Sequence, residues 1–164
     1  MLQALFDFLD KHTGGDLAAA PAHVHRALEV AAAALLVEIA RADGDMQPAQ
    51  RAAVLAAIHE KFALTDADAA DLLDLAESEL KKSEGYYPFT SLINRSFSQE
   101  QKEHLVELMW RAAYADQNLS ANELHLMRKI AGLLYVSDDA YILAKLRAKQ
   151  DASPLPRGGV GGVS

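Results

Sequence analysis

Ala42-Asp43-Gly44-Asp45-Met46-Gln47-Pro48-Ala49-Gln50 is answered 73 residues later by Ala115-Asp116-Gln117-Asn118-Leu119-Ser120-Ala121-Asn122-Glu123. The correspondence runs outward in both directions: Leu35 and Leu36 fall on Leu108 and Met109, Val54 on Met127, and Phe62 on Tyr135. One residue is then dropped, and Leu64-Thr65-Asp66 meets Val136-Ser137-Asp138, a hydrophobic residue followed by a helix N-cap in each copy. A match at fixed offset is the signature of a duplicated structural unit. Since each segment separates two apolar-periodic runs rich in alanine and leucine, the unit is a helix, a tight polar loop and a helix.

Periodicity and stop signals extend this reading along the chain. They predict a short helix near 2–11, a small-residue loop from His12 to Pro21, and long helices at about 22–42, 48–61 and 66–82, with Pro48 in a first turn and Thr65 as a cap. Ser83 to Pro88 joins the copies, with one helical turn from Phe89 to Asn94. Helices at 99–115, 121–134 and 138–149 complete the second copy, which opens on the capping box Ser98 to Gln101. The expected organisation is a short N-terminal helix and linker over 1–21, a helical domain over 22–149 and a disordered tail over 150–164. Repeat one takes in about 22–82 and repeat two about 98–149. The fold class is all-α, a single-domain bundle of about seven helices in which two pseudo-twofold-related helix-loop-helix repeats bury their apolar stripes against each other.

Composition agrees with this and narrows function. Half of the 164 residues are apolar (51%), enough for one core and too few for two. The net charge of −7, without a cluster of basic residues, argues against nucleic acid as a partner. The absence of cysteine removes disulfides, thiolate metal sites and thiol chemistry, and suits the cytoplasm. Val30 to Val37, bracketed by Glu29 and Glu38, is too short to span a bilayer. The first ten residues carry acids where a secretory signal has bases, and those acids would also repel anionic lipid, so peripheral membrane association is not the expected mode.

Counted from the aspartate, each loop has oxygen-bearing side chains at its first, third, fifth and eighth positions. Asp43, Asp45 and Gln50 in one copy, and Asp116, Asn118 and Glu123 in the other, are therefore candidate ligands for a hard divalent cation, calcium first and magnesium second. Helix capping explains much of the same pattern without metal: Ser120 and Glu123 form a capping box, and Gly44 permits a positive φ. Met46 and Leu119, between the polar positions, are expected to point into the core. The frame is not that of an EF-hand, because its sixth and twelfth positions hold Pro48 and Val54, or Ala121 and Met127.

The doubled pattern of Ala-Asp, a hydrophobic residue three further on and an acid four beyond that resembles the TerB-like family associated with tellurite resistance, in particular its small stand-alone bacterial members. The resemblance covers roughly Ala22 to Ala148. It implies an all-helical fold, a cytoplasmic location, no established enzymatic activity, metal binding through acidic loop residues, links to stress response, and a role in protein interaction. Asp43-Gly44 and Met46 keep the fuller family motif while Gln50 replaces its acid; Asp116, Leu119 and Glu123 keep it while Gln117 replaces its glycine. The expected function is a non-enzymatic, cation-binding interaction module with a protein partner. The alternative is a metal-free helical adaptor whose loops are only caps.

Other constellations carry less. No Glu-x-x-His pair is present for a di-iron bundle, and no phosphate loop, nucleophile elbow or cysteine nucleophile supports an enzyme. His104, Glu107 and Glu100 share a helix face, which reads as a solvated surface before it reads as a zinc site; His23 and His25 point apart on a helix. Trp110 is expected as a core anchor, and Tyr86-Tyr87-Pro88-Phe89 as a plug between the copies or part of a partner groove.

Overall fold

A computed structural model describes residues 22–115 and 119–152. Within them are seven helices and no strand: α1 (Ala22–Ala40), α2 (Pro48–Phe62), α3 (Asp66–Lys82), α4 (Tyr87–Ser96), α5 (Gln99–Tyr114), α6 (Ala121–Leu133) and α7 (Asp138–Ala152). The expected all-α bundle is what forms. The helix read near 2–11 lies outside the described residues, as do residues 153–164 of the expected tail. Residues 150–152 of that tail continue α7.

The first helix sets the architecture. Between Ala27 and Ala40 only Glu29 and Glu38 stay partly exposed, because the run is apolar all round and its alanines let neighbouring helices approach closely. It is covered by α2 and α3 of its own repeat, by the connecting helix α4, and by α5 and α6 of the second. The second repeat answers in kind: α5 packs chiefly on α7, touches α6, and crosses to α1 and α2. Helices of each repeat thus contact helices of the other.

Local chemistry explains the helix ends. Thr65 Oγ1 accepts from the Asp68 amide at 3.1 Å, Ser98 Oγ from the Gln101 amide at 3.1 Å, and Ser137 Oγ from the Ala140 amide at 3.2 Å. Pro48 stands in the first turn of α2 as expected. The segment read as one turn over 89–94 is a ten-residue helix, started early by Pro88, whose fixed φ favours a first helical turn, and by Thr90 Oγ1 donating to the Tyr87 carbonyl at 3.1 Å. Phe89 is wholly buried, so the aromatic stretch does plug the core, whereas Tyr87 is left exposed. Trp110 is buried against Tyr114 and Tyr141.

The register of the duplication shifts by one residue. Helix α2 closes on Ala63 at φ 52° and α6 is followed by Tyr135 at φ 59°, both left-handed. Tyr135 therefore corresponds to Ala63 and not to Phe62, and the dropped residue lies before it.

Candidate functional site

The first loop stands beside the start of α6. Asn122 Nδ2, in the first turn of α6, donates to Asp43 Oδ1 in the first loop at 2.8 Å. The Ser120 and Asn122 side chains hydrogen-bond the Asp43 carboxylate and hold it below the usual aspartate range. Asp43 follows α1 because the chain turns sharply there: the Gly44 amide donates to the Arg41 carbonyl at 3.0 Å, and Gly44 itself sits at φ 128°, which a side chain would oppose. Asp45 is exposed at the loop tip, while Met46 and Leu119 are partly buried against the core as expected.

Between the first turns of α2 and α6 the two eighth-position residues meet. Gln50 Nε2 donates to Glu123 Oε2 at 3.3 Å, and both side chains are buried, Glu123 to 1% exposure. Their remaining oxygens cap helices: Gln50 Oε1 accepts from the Gln47 amide at 2.9 Å, and Glu123 Oε1 from the Ser120 amide at 3.0 Å. The Ser120 hydroxyl accepts from the Glu123 amide at 3.0 Å, closing the capping box read from the sequence. A carboxylate this buried is expensive unless its oxygens are matched by donors, and here one donor comes from each repeat.

Of the six candidate ligands, the structure brings Asp43, Gln50 and Glu123 to one seam and puts Asp45 at its outer edge; Asp116 and Asn118 lie outside the described residues. Among the described residues no three His, Cys, Asp or Glu side chains form a group able to hold a metal ion. A cation here therefore needs oxygen donors from residues 116–118 as well. Gln50 Oε1 and Glu123 Oε1 already accept from backbone amides and Glu123 Oε2 from the Gln50 amide group, so the pair joins the starts of α2 and α6. Asn122 went unremarked in the sequence, where it is one more polar residue in a first helical turn. Its signal would have been its place next to Glu123, facing the opposite repeat.

Elsewhere along α2 and α5, Arg111 joins the repeats. It bonds Glu60 of α2 at 2.6 Å and Glu107 of its own helix at 2.8 Å, and His104 Nε2 lies 3.3 Å from Glu60. Burial raises the Glu60 pKa, but the Arg111 and His104 contacts outweigh it and hold the carboxyl low. The face formed by His104 and Glu107 is thus an inter-helix ion-pair network.

The family described as Tellurite resistance protein TerB matches residues 29–146, most of the chain and both repeats. The chain belongs to the TerB family. No curated protein matches it, and neither does any solved structure. In this TerB domain the matched region runs from the middle of α1 into α7, so the paired loops and the Gln50–Glu123 contact lie wholly inside it. A duplication with glutamate at both eighth positions would press two carboxylates together; with Gln50 in the first copy, an amide donor takes the place of one charge. Among the described residues no helix is long and apolar enough to cross a membrane.

Proposed function

We propose that this TerB domain is a non-enzymatic cytoplasmic interaction module whose paired loops take up a divalent cation, calcium before magnesium. Asp43 and Asp45 from one loop and Asp116 and Asn118 from the other supply the oxygens, and Gln50 and Glu123 hold the two loops in register from below. The observation that carries this reading is the Asp43–Asn122 contact, which sets an ionised carboxylate of the first loop against the start of α6, directly after the second loop. Hard cations collect carboxylate and amide oxygens from several short segments, and an ion shared by two loops would tie the two repeats together. A protein partner then reads the tightened edge. The connection with tellurite enters through the family description, and its check is the growth of a deletion strain on tellurite.

Ligand binding to the folded state alone raises stability by mass action, about 2.7 kcal/mol at a hundredfold excess over the dissociation constant. Thermal unfolding with calcium, magnesium or chelator is the direct test: calcium raises the midpoint, and Asp116→Ala abolishes the rise. No shift at millimolar calcium rejects the cation.

A second reading, a metal-free adaptor, is favoured by Gln50 Oε1 and Glu123 Oε1 each accepting from a helix-start amide, which commits those oxygens to capping. Its docking residue is Tyr87, which is 62% exposed and stacked on Tyr86 with ring centroids 6.2 Å apart. Partner capture that ignores chelator and falls with Tyr87→Ala selects this reading over the first.

A further inference from the structure

Helix α7 is apolar on both sides of its axis. Tyr141, Ala144 and Ala148 turn inward and are buried, Tyr141 against Trp110 with ring centroids 5.2 Å apart. On the opposite side Ile142, Leu143 and Leu146 remain exposed at 49%, 50% and 50%. Residues three and four apart share a helix face, so these three form one patch rather than scattered exposed leucines. The charges along this face are ordered. Asp138 and Asp139 open the helix, and Arg147 and Lys149, both exposed, stand near its other end.

We propose that this face is a homodimer interface in which α7 packs antiparallel on α7 of a second copy. A twofold contact brings the same surface against itself end for end. With the axis passing between Ile142 and Leu143, Ile142 of each copy meets Leu143 of the other, and Leu146 comes to lie beside Asp139. The Arg147 stem then covers apolar surface while its guanidinium reaches the Asp139 carboxylate across the interface. Asp138 is already paired with Arg128 at 3.0 Å, which leaves Asp139 to make the intermolecular pair at each end. The helix dipoles also oppose, which favours the antiparallel arrangement; a parallel one would set acids on acids and bases on bases. A partner of other chemistry would have to bring an apolar centre with bases at one end and acids at the other, and a second copy carries that pattern. The apolar centre is small against the roughly 800 Å² per partner of a standard interface, so the dimer is a reversible, concentration-dependent one.

The test is sedimentation of the full chain from about 1 to about 200 μM. The wild type is expected to pass from monomer to dimer across this range. Leu146→Lys, with unchanged far-ultraviolet circular dichroism, raises the dissociation constant at least about tenfold, as does Arg147→Asp. The double variant Asp139→Arg/Arg147→Asp, which restores opposite charges across the twofold, recovers the dimer. A monomer throughout overturns the proposal, and this is also the result if residues 2–11 of the same chain cover the face instead. A dimer indifferent to Leu146→Lys places the interface elsewhere. Failure of the double variant to recover what Arg147→Asp loses overturns the antiparallel pairing.

Discussion

Gln50 and Glu123, equivalent positions of the two repeats, hydrogen-bond each other directly at 3.3 Å, buried between the starts of α2 and α6. Each also caps the helix it begins, so one contact joins two helix starts and two halves of the chain. A neutral amide against a carboxylate is the combination that needs neither a shared proton nor an ion.

Gln50→Glu breaks that match by setting two carboxylates within hydrogen-bonding distance. One of them is then held above its ordinary pKa, so the penalty is absent in acid and grows as pH rises through the raised value. In chelator at pH 7 the variant is expected to lose about 2–4 kcal/mol of stability, most of it regained near pH 5. Under the cation reading calcium raises variant and wild type together by mass action, since neither side chain is among the proposed ligands. Denaturation at both pH values, with and without calcium, measures both effects.

Asn122→Ala removes one of the two side chains that hydrogen-bond Asp43. Because the Asp43 pKa is lowered in the folded protein, its contribution is present above the ordinary aspartate pKa and fades as pH falls through the folded value. The variant is expected to move the Asp43 titration upward, toward the ordinary value. Carboxyl carbon chemical shifts followed by NMR through the acid range report this; an unmoved titration removes Asn122 from the seam.

Ala63→Gly acts on backbone strain alone. Ala63 is exposed, at φ 52°, and its amide closes α2 on the His59 carbonyl at 2.9 Å. Glycine relieves the left-handed penalty at some cost in unfolded-chain entropy, for a net gain of about 0.5–1 kcal/mol. Thermal unfolding detects it. Tyr135→Gly gains less, because the ring carrying the Lys102 ammonium at 5.7 Å goes with it.

Arg111→Ala leaves Glu107, itself only 8% exposed, without this guanidinium, and it unlinks α5 from Glu60. The expected loss is about 2–3 kcal/mol, carried by the buried Glu107 more than by the half-exposed Glu60. Chemical denaturation gives the value; a Glu60→Ala variant losing as much would shift the weight to the inter-helix pair.

The helices were legible because their punctuation is local. Thr65, Ser98, Ser120 and Ser137 each announce a helix start, and Gly44 the turn after α1. The register after α2 was harder, since the left-handed positions hold alanine and tyrosine rather than glycine and leave no mark in the sequence. At the site, Gln50 and Glu123 were picked out by the duplication, but capping and ligation call on the same oxygens at the same spacing. Only the geometry between the repeats shows those oxygens accepting from backbone amides and, at Glu123, from the Gln50 side-chain amide. Asn122 was invisible for a related reason: its partner is 79 residues away, across a loop pairing that periodicity cannot supply.

The enclosure of α1 also bears on how the chain is made. Two of the helices that cover it, α5 and α6, are translated well after it, at roughly 5–20 residues per second. For those seconds α2, α3 and α4 can cover one side of α1 while the side that meets α5 and α6 stays open, so the first repeat by itself would expose apolar surface.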